Sequence, residues 1–339
     1  MSETLLRPAA PGAPAPSAAP TPSAASAAPT PSAASAAPTP SAASAAPTPS
    51  APSAAPDPSA GPSAFFARRR PGRPGLALFL NAGDPPLELL PELLAMLDES
   101  EVDCLELAVP FPDSVTDGPV VRRSANRALA RGVTADAVLA AVAAARPSLR
   151  HLRIALLADW SHTVKGTPLP DFTRRAADAG CDGLLLHGLP PRLREAYHDS
   201  AREAGLPVVT TCYAVSGPLV QADAAARAGA YLYLVAHYGR SGTDAPLDER
   251  RLAETVHRLR ETAAAPVAVG FGVRTARDVA RLEELGVESV VVGSAGVARV
   301  EDALAHHRDP VGEFAEFVRE LRGTASARPT PTAQKGTTS

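Results

Sequence analysis

Lysine is nearly missing from this chain: Lys165 and Lys335 are the only two among 33 basic side chains, and the rest are arginine. The formal net charge is −3. No lysine-rich basic face exists, which argues against broad, charge-driven nucleic-acid binding. Cysteine is also scarce. Cys104, Cys181 and Cys212 are odd in number and far apart, which fits reduced thiols and excludes a disulfide framework or a cysteine-based zinc site. No window offers about 18 consecutive apolar residues, so no membrane span is expected. The first residues lack a basic segment followed by a leucine- or valine-rich core, so a secretory signal is not expected either. The expected location is the cytoplasm.

Proline, by contrast, is abundant and unevenly spread. Residues 1–64 hold 16 of the 36 prolines. Apart from Met1, Glu3, Leu5, Leu6, Arg7 and Asp57, every residue there is Ala, Pro, Ser, Thr or Gly. So little large apolar surface cannot offset the entropy of ordering a backbone. The unit PTPSAASAA begins at Pro20, Pro29 and Pro38, with a degenerate copy at Pro47. It has no apolar face to stack, so it is not a solenoid repeat. The expectation is a disordered Pro/Ala/Ser-rich tail over 1–64, part polyproline II, serving as a passive extension, a tether or a docking peptide. Residues 324–339 are expected to be a second disordered tail. The folded part is then 65–323.

Within that part, short apolar runs alternate with helical-period segments. The runs are 76–80, 104–109, 154–157, 183–186, 208–211, 231–235, 267–269 and 289–292. Between and after them lie helical patterns at 87–97, 135–145, 171–179, 193–204, 219–228, 248–262, 276–285 and 311–321. Continuous apolar runs mark strands covered on both faces, as in a parallel sheet. Eight such units predict a (β/α)8 TIM barrel, an α/β fold. Gly180, Gly205, Gly229 and Gly286 are expected to stop helices in the left-handed conformation.

In such a barrel the chemistry sits just after the carboxyl end of each strand. The second run contains Glu106, a carboxylate in an apolar strand, which is costly unless paired or catalytic. The loop after it carries Asp113 and Asp117. Burial raises a glutamate's pKa toward neutrality, which suits a group that takes and returns a proton. An alternative is a Glu–Arg pair inside the barrel. Glycine-rich turns follow the sixth, seventh and eighth runs, around Gly239–Gly242, Gly270–Gly272 and Gly293–Gly296. Together with a short helix start after the eighth, they predict a phosphate site.

These pieces together resemble the tryptophan synthase α-subunit family over about 76–322. The motifs are Asn81-Ala-Gly-Asp-Pro85, Glu106-Leu-Ala-Val-Pro-Phe111, Thr116-Asp-Gly-Pro119, Arg131-Gly-Val-Thr134, Tyr231-Leu-Tyr-Leu-Val235, Gly270-Phe-Gly272 and Gly293-Ser-Ala295. The resemblance implies a lyase that cleaves indole-3-glycerol phosphate to indole and glyceraldehyde 3-phosphate without metal or organic cofactor. It implies Glu106 as the proton-transferring acid, Asp117 as the carboxylate facing the indole N–H, and Tyr233 near the glycerol hydroxyls. Phe79 and Phe271 then flank the indole. Ser241 replaces a threonine that helps close the sixth loop, and Gly242, Gly272, Gly293 and Ser294 fall at phosphate-binding positions. The implied partners are the phosphorylated indole substrate and a tryptophan synthase β-subunit, with no nucleic acid and no membrane.

The departures fall in four places. The loop after the second strand reads Pro112-Asp113-Ser114, the third strand ends Asp159-Trp160-Ser161, and the turn after the fourth is Gly188-Leu-Pro190. The sixth loop reads Ala236-His-Tyr-Gly-Arg-Ser241-Gly242, with His237 and Arg240 unusual there. In the family the loop after the second strand, the end of the third and the sixth loop face or communicate with the β-subunit. The departures leave three readings: a lyase with a diverged partner or releasing free indole, a non-catalytic regulatory or scaffolding homologue, and a barrel lyase for a related phosphorylated substrate.

Overall fold

The apolar runs find cover on both faces by lying side by side in one parallel sheet. The structure, a computed structural model, describes residues 65–68, 73–236, 248–270 and 272–323. The strands are β1 Gly75–Asn81, β2 Cys104–Ala108, β3 Arg153–Asp159, β4 Gly183–His187, β5 Thr210–Tyr213, β6 Leu232–Val235, β7 Val267–Gly270 and β8 Ser289–Val292. They pair in parallel in the order β4-β3-β2-β1-β8-β7-β6-β5. A parallel bridge from Leu184 to Val208 spans the seam between β4 and β5. The sheet is therefore a nearly closed barrel, as the alternation of runs predicted.

The helices are α1 Leu90–Glu99, α2 Pro119–Ala130, α3 Ala135–Ala145, α4 Leu169–Asp178, α5 Arg194–Glu203, α6 Pro218–Arg227, α7 Glu249–Thr262, α8 Ala276–Glu284, α9 Ser294–Ala305 and α10 Pro310–Leu321. They cover the outward strand residues, among them Leu78, Leu105, Ile154 and Leu156, all fully buried. Local chemistry marks their starts. Thr275 and Asp278 form a capping box at α8, Thr134 caps α3, and Asp309 caps α10 ahead of Pro310. Gly180, Gly205 and Gly286 end helices at φ of +85°, +65° and +80°, as expected. Gly229 does not take that conformation; a Cβ there would meet the Val208 amide nitrogen at 3.1 Å, so close backbone approach is what favours glycine.

Besides α9, which runs 12 residues where only a short helix start was expected, two elements differ from the sequence reading. The fifth strand starts two residues late, because Val208 makes only the bridge across the seam and regular pairing with β6 begins at Thr210. Helix α2 was not expected. Its buried stripe, Val121, Ser124, Ala125 and Ala128, is made of small side chains, and polar contacts from the β1 end also hold it. Asn81 Nδ2 donates to the Val121 carbonyl at 3.2 Å and Ser124 Oγ at 3.1 Å. Arg127 grips the fully buried Asp84 with two hydrogen bonds of 2.9 and 2.7 Å. The Asn81–Pro85 motif thus fastens α2 to the barrel rim.

Inside the barrel the strand residues are small. Ala77, Cys104, Ala155 and Ala268 leave a space that Phe65, Phe66 and Tyr231 fill. The two phenylalanine rings lie 5.5 Å from the Tyr231 ring, both at steep angles. Gly75 and Gly183 are required by this plug, since a Cβ at either would fall 2.6 or 2.7 Å from Phe66 or Phe65. The interior is a packed core below and a site above.

Candidate active site

Register puts the site together. Phe79 and Glu106 are partners in the β1–β2 ladder and point the same way, into the barrel. Glu106 is 3% exposed, and no arginine among the described residues forms an ion pair with it. Its Oε1 accepts a 2.5 Å hydrogen bond from the Tyr231 hydroxyl. Burial dominates its titration and pushes the carboxyl up to about 7, while the Tyr231 hydrogen bond acts in the opposite direction. A carboxyl in this state exchanges a proton near neutral pH, the property that an acid–base catalyst needs.

Tyr233 lies one strand repeat above Tyr231. Its ring lies directly over Gly270 of β7, where a Cβ would come within 2.3 Å of the ring and hydroxyl. Burial first, then the charges of Glu106 and Asp117, hold its phenol above the usual range. Tyr233 is therefore within electrostatic reach of both carboxylates. Asp117 sits half-buried at the end of the β2–α2 loop, where its amide donates to Ser114 Oγ at 3.3 Å. Asp113, the other loop acid, is exposed and holds a left-handed φ of +57°, a turn position away from the others.

Phe79 is half-buried and lies against Gly293, where a Cβ would be 3.7 Å from Phe79 Cβ and 3.9 Å from its ring. Gly293 is the residue before α9, and Ser294 begins that helix. The first amides of a helix have no carbonyl partner within it, and the helix dipole favours an anion there. Gly272 is exposed with φ +37°. Ser241, Gly242, His237, Arg240 and Phe271 lie outside the described residues.

Sequence reasoning missed two groups. Tyr231 was part of a quoted motif but had no role; its neighbour in the strand pattern, an inward-facing Glu106, was the available signal. A polar cluster at the ends of β3 and β4 was also missed. There Asp159 accepts from His162 Nδ1 at 2.7 Å and His187 Nδ1 at 3.2 Å, and Phe111 lies nearly parallel to both imidazoles. A π-helical turn, Trp160–Val164, follows β3 and brings His162 back onto Asp159.

A parallel barrel with a buried, near-neutral carboxyl on β2 and a helix N-terminus directly after β8 defines a (β/α)8-barrel enzyme. The chain belongs to the tryptophan synthase alpha chain family, whose model matches residues 65–326. It is 35% identical to the tryptophan synthase alpha chain of Gloeobacter violaceus over 251 residues, 74% of this chain and 89% of that one. It is 35% identical to that of Dechloromonas aromatica, over 72% of this chain and 90% of the relative. Among solved structures, the alpha subunit from Legionella pneumophila superposes with a TM-score of 0.66 at 26% identity, covering 74% of this chain and 92% of that one. A variant alpha-subunit from Pyrococcus furiosus gives 0.66 at 27% identity, covering 74% and 98%.

Proposed function

We propose that this chain is a lyase that cleaves indole-3-glycerol phosphate to indole and glyceraldehyde 3-phosphate by a retro-aldol reaction. The observation that carries the reading is Glu106: a carboxyl buried on the inner face of β2 and titrating near 7, in the family's strand-two glutamate place. Breaking the carbon–carbon bond requires a proton on C3 of the indole, which turns the ring into an electron acceptor. Glu106 delivers that proton and takes one from the adjacent glycerol hydroxyl. The hydroxyl carbon becomes the aldehyde, and the bonding electrons return to the ring to restore indole. Asp117 faces the indole N–H and stabilises the positive charge that develops on nitrogen. Tyr233 orients the glycerol hydroxyls. Phe79 and Phe271 hold the ring, and the phosphate sits on the backbone at Gly242, Gly272, Gly293 and Ser294, with Ser241 supporting the sixth loop.

Retention of Glu106, Asp117 and Tyr233 at one mouth weighs against a non-catalytic homologue. The partner in this reading is a β-subunit that accepts the indole, and the β2–α2 loop and the turn after β3 are where its docking differs from the family. No single helix among the described residues is long and apolar enough to cross a membrane, and the reading places the enzyme in the cytoplasm. The test is indole release by purified protein, with and without a β-subunit. Turnover by the chain alone marks a stand-alone lyase, turnover only with the β-subunit marks a paired one, and no turnover in either arm rejects the assignment.

A further inference from the structure

The mouth holds a carboxylate–imidazole group that the proposed reaction does not use. Asp159 ends β3 and His187 ends β4, and they are the last partners in that ladder. Asp159 is 5% exposed. Burial opposes its charge, but hydrogen bonds from His162 and His187 outweigh it and hold the carboxyl below its usual range. The turn after β4 makes room for it: Gly188 has φ +69°, and a Cβ there would lie 3.2 Å from Asp159 Oδ2.

From this pair a chain of polar contacts runs outward. His187 donates from Nδ1 to Asp159, which leaves Nε2 as an acceptor in the neutral ring. Thr116 Oγ1 lies 3.3 Å from that nitrogen. Ser114 Oγ lies 3.4 Å from Thr116 Oγ1, and the Asp117 amide donates to Ser114 Oγ at 3.3 Å. Every donor and acceptor in the chain can be satisfied in one direction, from Asp117 to Asp159. Within the loop Phe111 and Ser114 are buried, whereas Val115 is 74% exposed. Phe111 itself rests against His162 and His187.

We propose that Asp159 and His187, acting through Thr116 and Ser114, are positioning residues that set the β2–α2 loop and hold Asp117 at the barrel mouth. The inference rests on the reading of Asp117 as the second carboxylate of the reaction. It gives this chain an internal anchor for that loop, built on the rigid ends of two neighbouring strands.

The test pairs a structural readout with a kinetic one on the full chain. Thr116→Val keeps the shape and removes the hydroxyl; Thr116→Ser keeps the hydroxyl; His187→Leu removes the anchor. Amide hydrogen exchange over 112–118 is expected to rise about tenfold in Thr116→Val and His187→Leu, the scale of one net hydrogen bond, and to stay within about threefold in Thr116→Ser. For indole release, kcat is expected to fall about tenfold in the same two variants with KM moved less than about threefold. Both losses should vanish in an Asp117→Asn background, because the relay acts through Asp117. Unchanged exchange in Thr116→Val and His187→Leu overturns the relay, as does a kcat loss that persists undiminished without Asp117. If the wild-type chain releases no indole either alone or with a β-subunit, the proposed function fails while the exchange measurement still decides the relay.

Discussion

Tyr231 donates its phenolic proton to Glu106 across 2.5 Å in the interior of the barrel. The two are far apart in sequence and meet because β2 and β6 face each other over an alanine-lined space. The same ring packs between Phe65 and Phe66, so the aromatic plug and the reactive carboxyl are one packed unit. The hydrogen bond favours the charged carboxylate and opposes the larger effect of burial. Tyr231→Phe retains the ring and deletes the donor. We expect the Glu106 titration to move to higher pH by about one unit or more. A carboxyl carbon-13 titration checks this, and a midpoint that stays put or falls would show that the hydroxyl does not control the acid.

Glu106 also ties stability to pH. Its folded pKa of about 7 lies above the unfolded value of roughly 4.3. Between those limits the folded chain keeps a proton that the unfolded chain has released, so stability falls as pH rises. The contribution is complete below the unfolded pKa and lost as pH passes through about 7, with a size on the order of 3 kcal/mol. Glu106→Gln removes this slope. Urea unfolding should find the variant more stable than wild type at about pH 8 and nearly equal to it near pH 4. A variant that is less stable at the higher pH would mean the carboxylate is well solvated or paired when charged.

The bare surface of Gly270 is required by Tyr233. A methyl group there would enter the phenol ring, so the ring or the strand must shift. Gly270→Ala should cost about 1–3 kcal/mol and displace Tyr233 from the mouth. Thermal unfolding measures the first effect. A variant with unchanged stability would show that the ring moves freely.

Phe65 and Phe66 fill the floor of the barrel at 4% and 3% exposure. Truncating either to alanine should cost about 3–5 kcal/mol, as for other buried aromatic rings. Chemical denaturation checks it, and a loss below about 1 kcal/mol would mean that the plug is not part of the folded core.

Much of this was legible in the residues. The eight strand runs could be read because a parallel strand covered on both faces is apolar throughout, so Val290 and Leu105 mark their strands without any neighbour's help. Glu106 stood out as the one carboxylate in such a run. The helix α2 was hard to read because its buried stripe, Val121, Ser124, Ala125 and Ala128, is made of small side chains, and Asn81 and Arg127 contacts between distant segments help fix its place. The plug was hidden for a similar reason: Phe65 and Phe66 follow a proline-rich stretch and precede an arginine-rich one, and only the small side chains across the barrel reveal a space for them. The Asp159–His187 pair was invisible because each residue ends a different strand, and register alone makes them neighbours.

Indole release from indole-3-glycerol phosphate by wild type, Glu106→Gln and Asp117→Asn, each with and without a β-subunit, tests the central claim most directly. The expected result is turnover by wild type and a loss of at least about a hundredfold in both variants, with folding intact. Near-normal rates in Glu106→Gln would remove this carboxyl from the chemistry and contradict the account.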